Sequence, residues 1–407
     1  MRQQNKKICK RRLTAILTAA AMTAAMPFSA FAAVNHPDDN TYQPPEPPAP
    51  NYNQDLSPEF AYTEEKWASL RDNVMEYDEL ADLIHEYNPT VRSNRSTYAD
   101  QRNKDLNDVY DAYMDDIQDI WDQVDSVDDD VSAASLRYSA NLLTQQADNN
   151  YQDADMEKIQ YDQTEASLVY QAQQLMVTYE QSQYNLETLQ STRDLLEAQY
   201  QAAQAQQAVG MATQIDVLNA QKSVQDQDSA ILSAQKSAEN VHRGLCLMLG
   251  WDVDAQPEIM PVPEPDLSRI DSMNPEADSQ TAAANNYDVK YYEKKAGNLS
   301  SQDLVEANQV DIQNAKDTAL RSLRTQYDTV LTARDALNAA QIQLETAAVD
   351  LNEAAVKKSV GQGTELEYKT AENAYISAKN SVNSQKLQLL LAMEGYDWNV
   401  KGLTTSN

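Results

Sequence analysis

Between Pro89 and Pro257 the chain has no proline, no glycine occurs anywhere before Gly210, and after Pro275 proline is again absent. Proline breaks helices sterically and glycine ends them by its backbone freedom, so two long windows lack the usual means of stopping a helix. Their apolar spacing is helical. Leu168, Ala172, Leu175, Tyr179, Ser182, Leu186, Leu189, Arg193, Leu196 and Tyr200 alternate steps of four and three, and Leu320, Leu323, Tyr327, Val330, Arg334, Leu337, Gln341, Leu344, Ala348 and Leu351 repeat the pattern. Stripes this narrow pack helix on helix in the coiled-coil manner. The reading is an all-α fold of long antiparallel helical hairpins, with residues 151–208 as one rod.

Each window is interrupted by the same short phrase. Val209-Gly210-Met211-Ala212-Thr213-Gln214-Ile215-Asp216-Val217 returns 151 positions later as Val360-Gly361-Gln362-Gly363-Thr364-Glu365-Leu366-Glu367-Tyr368. The downstream stretches end alike, at Met248-Leu249-Gly250-Trp251-Asp252 and Met393-Glu394-Gly395-Tyr396-Asp397. A tandem repeat of helix, turn, helix and stop follows. Proline clusters set the boundaries: a leader over 33–58, repeat one over 59–251, a linker over 252–276, repeat two over 277–398 and a tail over 399–407.

Residues 1–32 read as a secretory signal peptide, with bases from Arg2 to Arg12, an apolar run from Leu13 to Met26 and Ala30-Phe31-Ala32 as the cleavage site. Export is the expectation. Of 32 basic residues six lie in that segment, leaving 26 against 63 acids, a net charge of −37. That sign excludes nucleic acid as a partner. Cys246 is then the only cysteine, so no intrachain disulfide forms.

The doubled turn and its long flanking helices resemble the TolC-like outer-membrane efflux family, whose two structural repeats each carry a Val-Gly turn of this kind. The resemblance implies a homotrimeric coiled-coil tube that passes cargo, recruited by a periplasmic adaptor (membrane fusion) protein and an inner-membrane transporter. It assigns Gly210, Met211, Thr213, Gly361, Gly363 and Thr364 to adaptor-docking turns, the glycines supplying backbone freedom and the threonines capping the returning helices. It places Asp216 and Glu367 at the constricted entrance, where carboxylates repeated around a trimer favour cations. Lys358 stands where the family can carry tyrosine, and Gly363 where it can carry arginine. A Lys358 ion pair with an entrance acid such as Asp216 is the expected substitute for the family's gate contacts.

The chain departs from the family where barrel strands would lie. Residues 105–165 hold no glycine or proline and pack eleven aspartates between Asp105 and Asp130, whereas barrel strands need alternating polarity, turn residues and aromatic girdles. The strands are therefore expected to be missing or replaced by helix, which puts membrane insertion in doubt. The aspartate run lacks the glycine and spacing of a calcium loop and reads as a solvated helix face. His36, His85 and His242 are scattered, no nucleophile elbow or phosphate loop is present, and no cofactor or catalysis is expected. Trp121, Trp251 and Trp398 are expected to be packing anchors. A non-transporting envelope spacer built from the same rods remains the rival reading.

Overall fold

The computed structural model describes residues 62–102 and 104–405; the signal peptide and the proline-rich leader lie outside the described residues. In chain order the helices are α1 (Glu64–Leu70), α2 (Leu80–Tyr87), α3 (Pro89–Gln101), α4 (Leu106–Ser126), α5 (Asp130–Asp148), α6 (Ala154–Ala208), α7 (Gln214–Met248), α8 (Pro275–Asn285), α9 (Tyr287–Ala296), α10 (Gln302–Ser359) and α11 (Glu365–Lys401). Among the described residues the only strands are β1 (Val74–Met75) and β2 (Glu258–Ile259), which pair in parallel. The fold is all-α, as expected.

Two rods dominate. α6 has 55 residues and α10 has 58, about 83 and 87 Å at 1.5 Å per residue. Each starts on a side-chain cap: Asp153 accepts from the Met156 amide at 2.9 Å, and Ser301 accepts from Leu304. Each doubles back, α6 onto α7 and α10 onto α11, and α11 lies beside α6. The protomer is a row of four antiparallel helices in the order α10, α11, α6, α7.

Burial is concentrated at the end of the row away from the turns. One core gathers Leu80, Leu83, Ile84, Val169, Met176, Leu245, Leu249 and Trp251; a second gathers Ile270, Leu323, Val330, Leu389, Met393 and Tyr396. Toward the turns it thins: past Ser191, α6 buries no residue fully. In α10 the buried line is Ala319, Leu323, Gln326, Val330, Leu337, Ala340 and Ala347. It shares Leu323, Val330 and Leu337 with the expected stripe, but Gln326 and Ala340 replace Tyr327 and Gln341. Small side chains let α11 come close, and Gln326 donates to the Ala392 carbonyl at 3.1 Å.

That contact explains a correction. α11 does not stop at Gly395, as its likeness to Gly250 suggested, but runs on to Lys401, so the boundary set at residue 398 falls inside the helix. A Cβ on Gly395 would sit 2.4 Å from Gln326 Nε2, so this glycine admits a neighbour and does not end the helix. The counterpart of Gly250 is Gly402; their φ angles are +83° and +109°. Both close the same clasp. Asn88, N-cap of α3, donates to the Met248 carbonyl at 2.8 Å, and Asn286, N-cap of α9, donates to the Gly402 carbonyl at 3.1 Å.

The 252–276 segment is more than a spacer. β2 pairs with β1, and the Val262 amide donates to Glu180 of α6 at 2.6 Å. The aspartate run folds as the α4–α5 hairpin, with Asp105 and Asp129 as N-caps, so helix replaces strand there as anticipated. In repeat two no hairpin is inserted: Gly297–Ser301 alone joins α9 to α10. Trp251 is buried and Trp398 donates to Gln173 Oε1 at 2.8 Å, both as packing anchors, whereas Trp121 is 37% exposed.

Candidate functional site

The two doubled-back turns form the tips of the row, and they are closed by the same pair of backbone bonds. After α6 the Gly210 amide donates to the Gln207 carbonyl (2.9 Å) and the Met211 amide to Gln206 (2.8 Å). After α10 the Gly361 amide donates to Lys358 (3.1 Å) and the Gln362 amide to Lys357 (2.9 Å). This is the Schellman closure, which needs a left-handed residue after the helix. Gly210 and Gly361 supply it, each at φ +76°. Neither has an atom within 4 Å of where a Cβ would stand, so only conformation selects glycine there. Gly363 differs, being pressed against Lys357 and the Lys358 amide.

The returning helices begin with identical capping boxes. Thr213 Oγ1 accepts from the Asp216 amide at 3.3 Å while Asp216 accepts from the Thr213 amide at 2.8 Å. Thr364 and Glu367 repeat this at 3.1 and 2.7 Å. The backbone amides of Thr213 and Thr364 hold both carboxyls below their usual range. The two acids assigned to the entrance are therefore tied into their own helix starts.

Lys358 does not meet Asp216 in the protomer, since α10 and α7 lie on opposite flanks of the row. Its Nζ pairs with Glu365 Oε2 at 2.5 Å and stands 4.2 Å over the Tyr368 ring. Glu365 and Tyr368 were missed by the sequence reading. Their signal was their own three-residue spacing at the start of α11, which sets both on one face of the helix, toward the end of α10.

Around the caps the tips present apolar groups to solvent: Val209 71%, Met211 79%, Ile215 68% and Val360 63% exposed. Further back, the outer helices carry apolar stripes of their own. On α7 these are Leu218 and Leu232 with Ile215; on α10 they are Ile342, Val349 and Val356, seven residues apart, all more than half exposed. Each lies about a quarter to a half turn away from the line buried inside the protomer at 100° per residue. The α10 flank thus ends in an unpartnered heptad stripe, and the α7 flank in exposed apolar residues separated by Lys222, Gln225 and Ser229.

No protein-family profile and no curated protein matches the sequence. The likeness lies in the structure. A membrane protein of Pseudomonas aeruginosa aligns at TM-score 0.52 and 14% identity, over 80% of this chain and 90% of that one. The CmeC outer membrane channel of Campylobacter jejuni aligns at TM-score 0.50 and 10% identity, over 95% of both chains. The fold is TolC-like. Within the TolC-like frame the doubled turns are equivalent points of two repeats, and the α4–α5 hairpin marks the place where this chain departs from its expected pattern. No helix among the described residues is long and apolar enough to cross a membrane.

The two hairpins are joined along α6 and α11, where Asn373 bonds Thr192 at 3.2 Å and Lys379 pairs with Glu187 at 3.1 Å.

Proposed function

We propose that this protein is a passive conduit of a cell-envelope export or efflux system, assembled as a homotrimer whose tips dock an adaptor protein coupled to an inner-membrane transporter. The observation that carries the reading is the exposed apolar side chains on both outer flanks, a heptad stripe on α10 and a broken one on α7. A row of four helices with Ile215, Leu218 and Leu232 on one edge and Ile342, Val349 and Val356 on the other buries both only by meeting another row edge to edge. Because the two edges differ, the contact is head to tail, and three rows related by a 120° rotation close it as a ring. The reading is non-catalytic and exported, in the cell envelope.

Ring closure also gives Lys358 its neighbours. The α10 flank of one copy faces the α7 flank of the next, which brings Asp216 of one subunit toward Lys358 of another without requiring the pair inside a protomer. The exposed Met211, Val209 and Val360 are the apolar part of the docking surface, and Gly210, Thr213, Gly361, Gly363 and Thr364 hold its shape.

The test is the mass of the purified protein by light scattering over a range of concentrations, beside Leu218→Glu and Val349→Glu. A trimer that each substitution reduces to monomer supports the conduit. A monomer at every concentration overturns the ring, and a trimer indifferent to both substitutions overturns the flank assignment.

A further inference from the structure

The α4–α5 hairpin has few contacts with the rest of the protomer, and its own interface is thin. Tyr113, Ile117 and Val124 of α4 face Ala133, Ala140 and Ala147 of α5. That seam uses only part of the apolar surface. On α4 a second line, Tyr110, Met114 and Trp121, is 37–40% exposed and stands about 60° round the helix from the buried line at 100° per residue. On α5 the face opposite its partner carries Val131, Tyr138 and Leu142, exposed by 78, 70 and 44%. With Ser135 and Gln145 they keep the four-three spacing of a coiled-coil seam.

The charges on the two helices differ as sharply. α4 carries seven aspartates and no base, whereas α5 has no acid between Val131 and Ala147, and Arg137 is its one charged residue there. Two α4 faces would repel each other, and an anionic lipid surface would repel α4 as well. The α5 face of Val131, Tyr138 and Leu142 carries no charge of its own, so an α4 helix meets it without repulsion.

We propose that the hairpin is a second subunit contact, in which the Tyr110–Met114–Trp121 line of one copy seats against the Val131–Tyr138–Leu142 face of the next. The inference rests on the ring reading above and extends it to the opposite end of the rods: the hairpins form a closed helical collar. Two different patches on one hairpin are what a head-to-tail ring needs, since a two-fold contact uses one patch twice. Heights agree too. Trp121 lies eight positions before Asp129 and Tyr138 nine after it, so the lines overlap when neighbouring hairpins stand side by side.

The experiment is oxidative crosslinking of the full protein carrying Cys9→Ser with Trp121→Cys and Tyr138→Cys, read on a denaturing gel. Cys246 stays silent, because it is fully buried and burial pushes its thiol up to about 12. Within one chain the two new thiols point away from each other and do not bridge. Most of the chain is expected as a covalent trimer, with neither single substitution forming more than traces of dimer. Light scattering of the unoxidised protein separates the two readings. A ring that forms but does not crosslink overturns the collar and leaves the conduit. Dimers from Trp121→Cys alone overturn it in favour of a symmetric α4 contact. Sedimentation with phosphatidylethanolamine and phosphatidylglycerol vesicles, lost in Tyr138→Glu, overturns it in favour of a lipid surface. A monomer throughout overturns both.

Discussion

Gly210 and Gly250 have nearly the same backbone, φ +76° and +83°, yet the structure gives them different reasons to be glycine, and alanine at each position separates them. At Gly210 an added Cβ meets nothing within 4 Å, so the cost is the left-handed conformation alone, about 1 kcal/mol. At Gly250 the same Cβ stands 2.7 Å from the Tyr87 carbonyl oxygen and 2.8 Å from the Tyr87 Cβ. Backbone cannot swing aside as a flexible side chain can, and Tyr87 is itself buried where α2 meets Asn88. Overpacking of this kind adds about 2 kcal/mol. Conformational and unfolded-state terms are common to both variants and cancel in the difference, which leaves the packing term.

The assay is thermal unfolding followed by helical circular dichroism, at one protein concentration because assembly contributes to stability. With a melting shift of about 2 °C per kcal/mol for a chain of this size, Gly250→Ala melts about 4 °C below Gly210→Ala. Equal melting temperatures would falsify the clasp between α2 and the end of α7, since conformation alone would then account for both glycines. Gly402→Ala, whose Cβ would lie 2.2 Å from the Asn285 carbonyl oxygen, belongs with Gly250 on this argument.

Other expectations concern the caps, the buried acid and the tip lysine. Thr213→Ala and Thr364→Ala each remove a capping box, worth about 1 kcal/mol. The loss shows most directly as faster amide exchange in residues 214–217 and 365–368. Burial, then the nearby Asp397, raise the Glu394 carboxyl above its usual value. Its charged form therefore opposes folding above the unfolded value of about 4.3. Glu394→Gln is expected to raise the melting temperature at pH 7, with the gain fading as pH falls from the raised value toward about 4 and absent below it; a constant gain would refute the charge as its cause. The acids of the capping boxes have the opposite sign: their stabilisation is present above the unfolded value and is lost as pH falls through the lowered one. Lys358→Met removes the Glu365 pair and leaves the tip folded, which unchanged circular dichroism and a lost salt dependence of amide exchange at Glu365 would show.

The rods, the doubled turns and the loss of strands were legible because each rests on local chemistry: punctuation, spacing and caps. What stayed hidden depends on the neighbour across a gap. Gly395 looks like a stop in sequence, and only the side chain of Gln326 shows that it is a contact. Tyr327 looks like a better seam residue than Gln326, but the seam is built around a glutamine bonded to a main-chain carbonyl. Lys358 has several acids within reach in sequence, and the order of helices in the row decides among them. Trp121 looks like an anchor, and the thinness of the α4–α5 interface leaves it outside.

Register is the remaining problem for rods so rich in alanine and glutamine, since stripes repeating every seven residues fit almost as well after a slip of one heptad. The central α11–α6 seam answers with polar groups. Asn380, 4% exposed, donates to the Tyr184 carbonyl and to Thr188 Oγ1, both at 3.1 Å, and Asn373 donates to Thr192. A buried asparagine in such a seam specifies register at some expense of stability. These contacts fix which residue of α6 stands opposite Asn373. A slip of one heptad would instead bring Asn373 opposite Gln199, seven positions on from Thr192. Cysteines at Thr192 and Asn373 should therefore oxidise to an intrachain disulfide much faster than cysteines at Gln199 and Asn373, because only the first pair is in contact in the register that the buried asparagines select. The reverse order would mean a slipped seam.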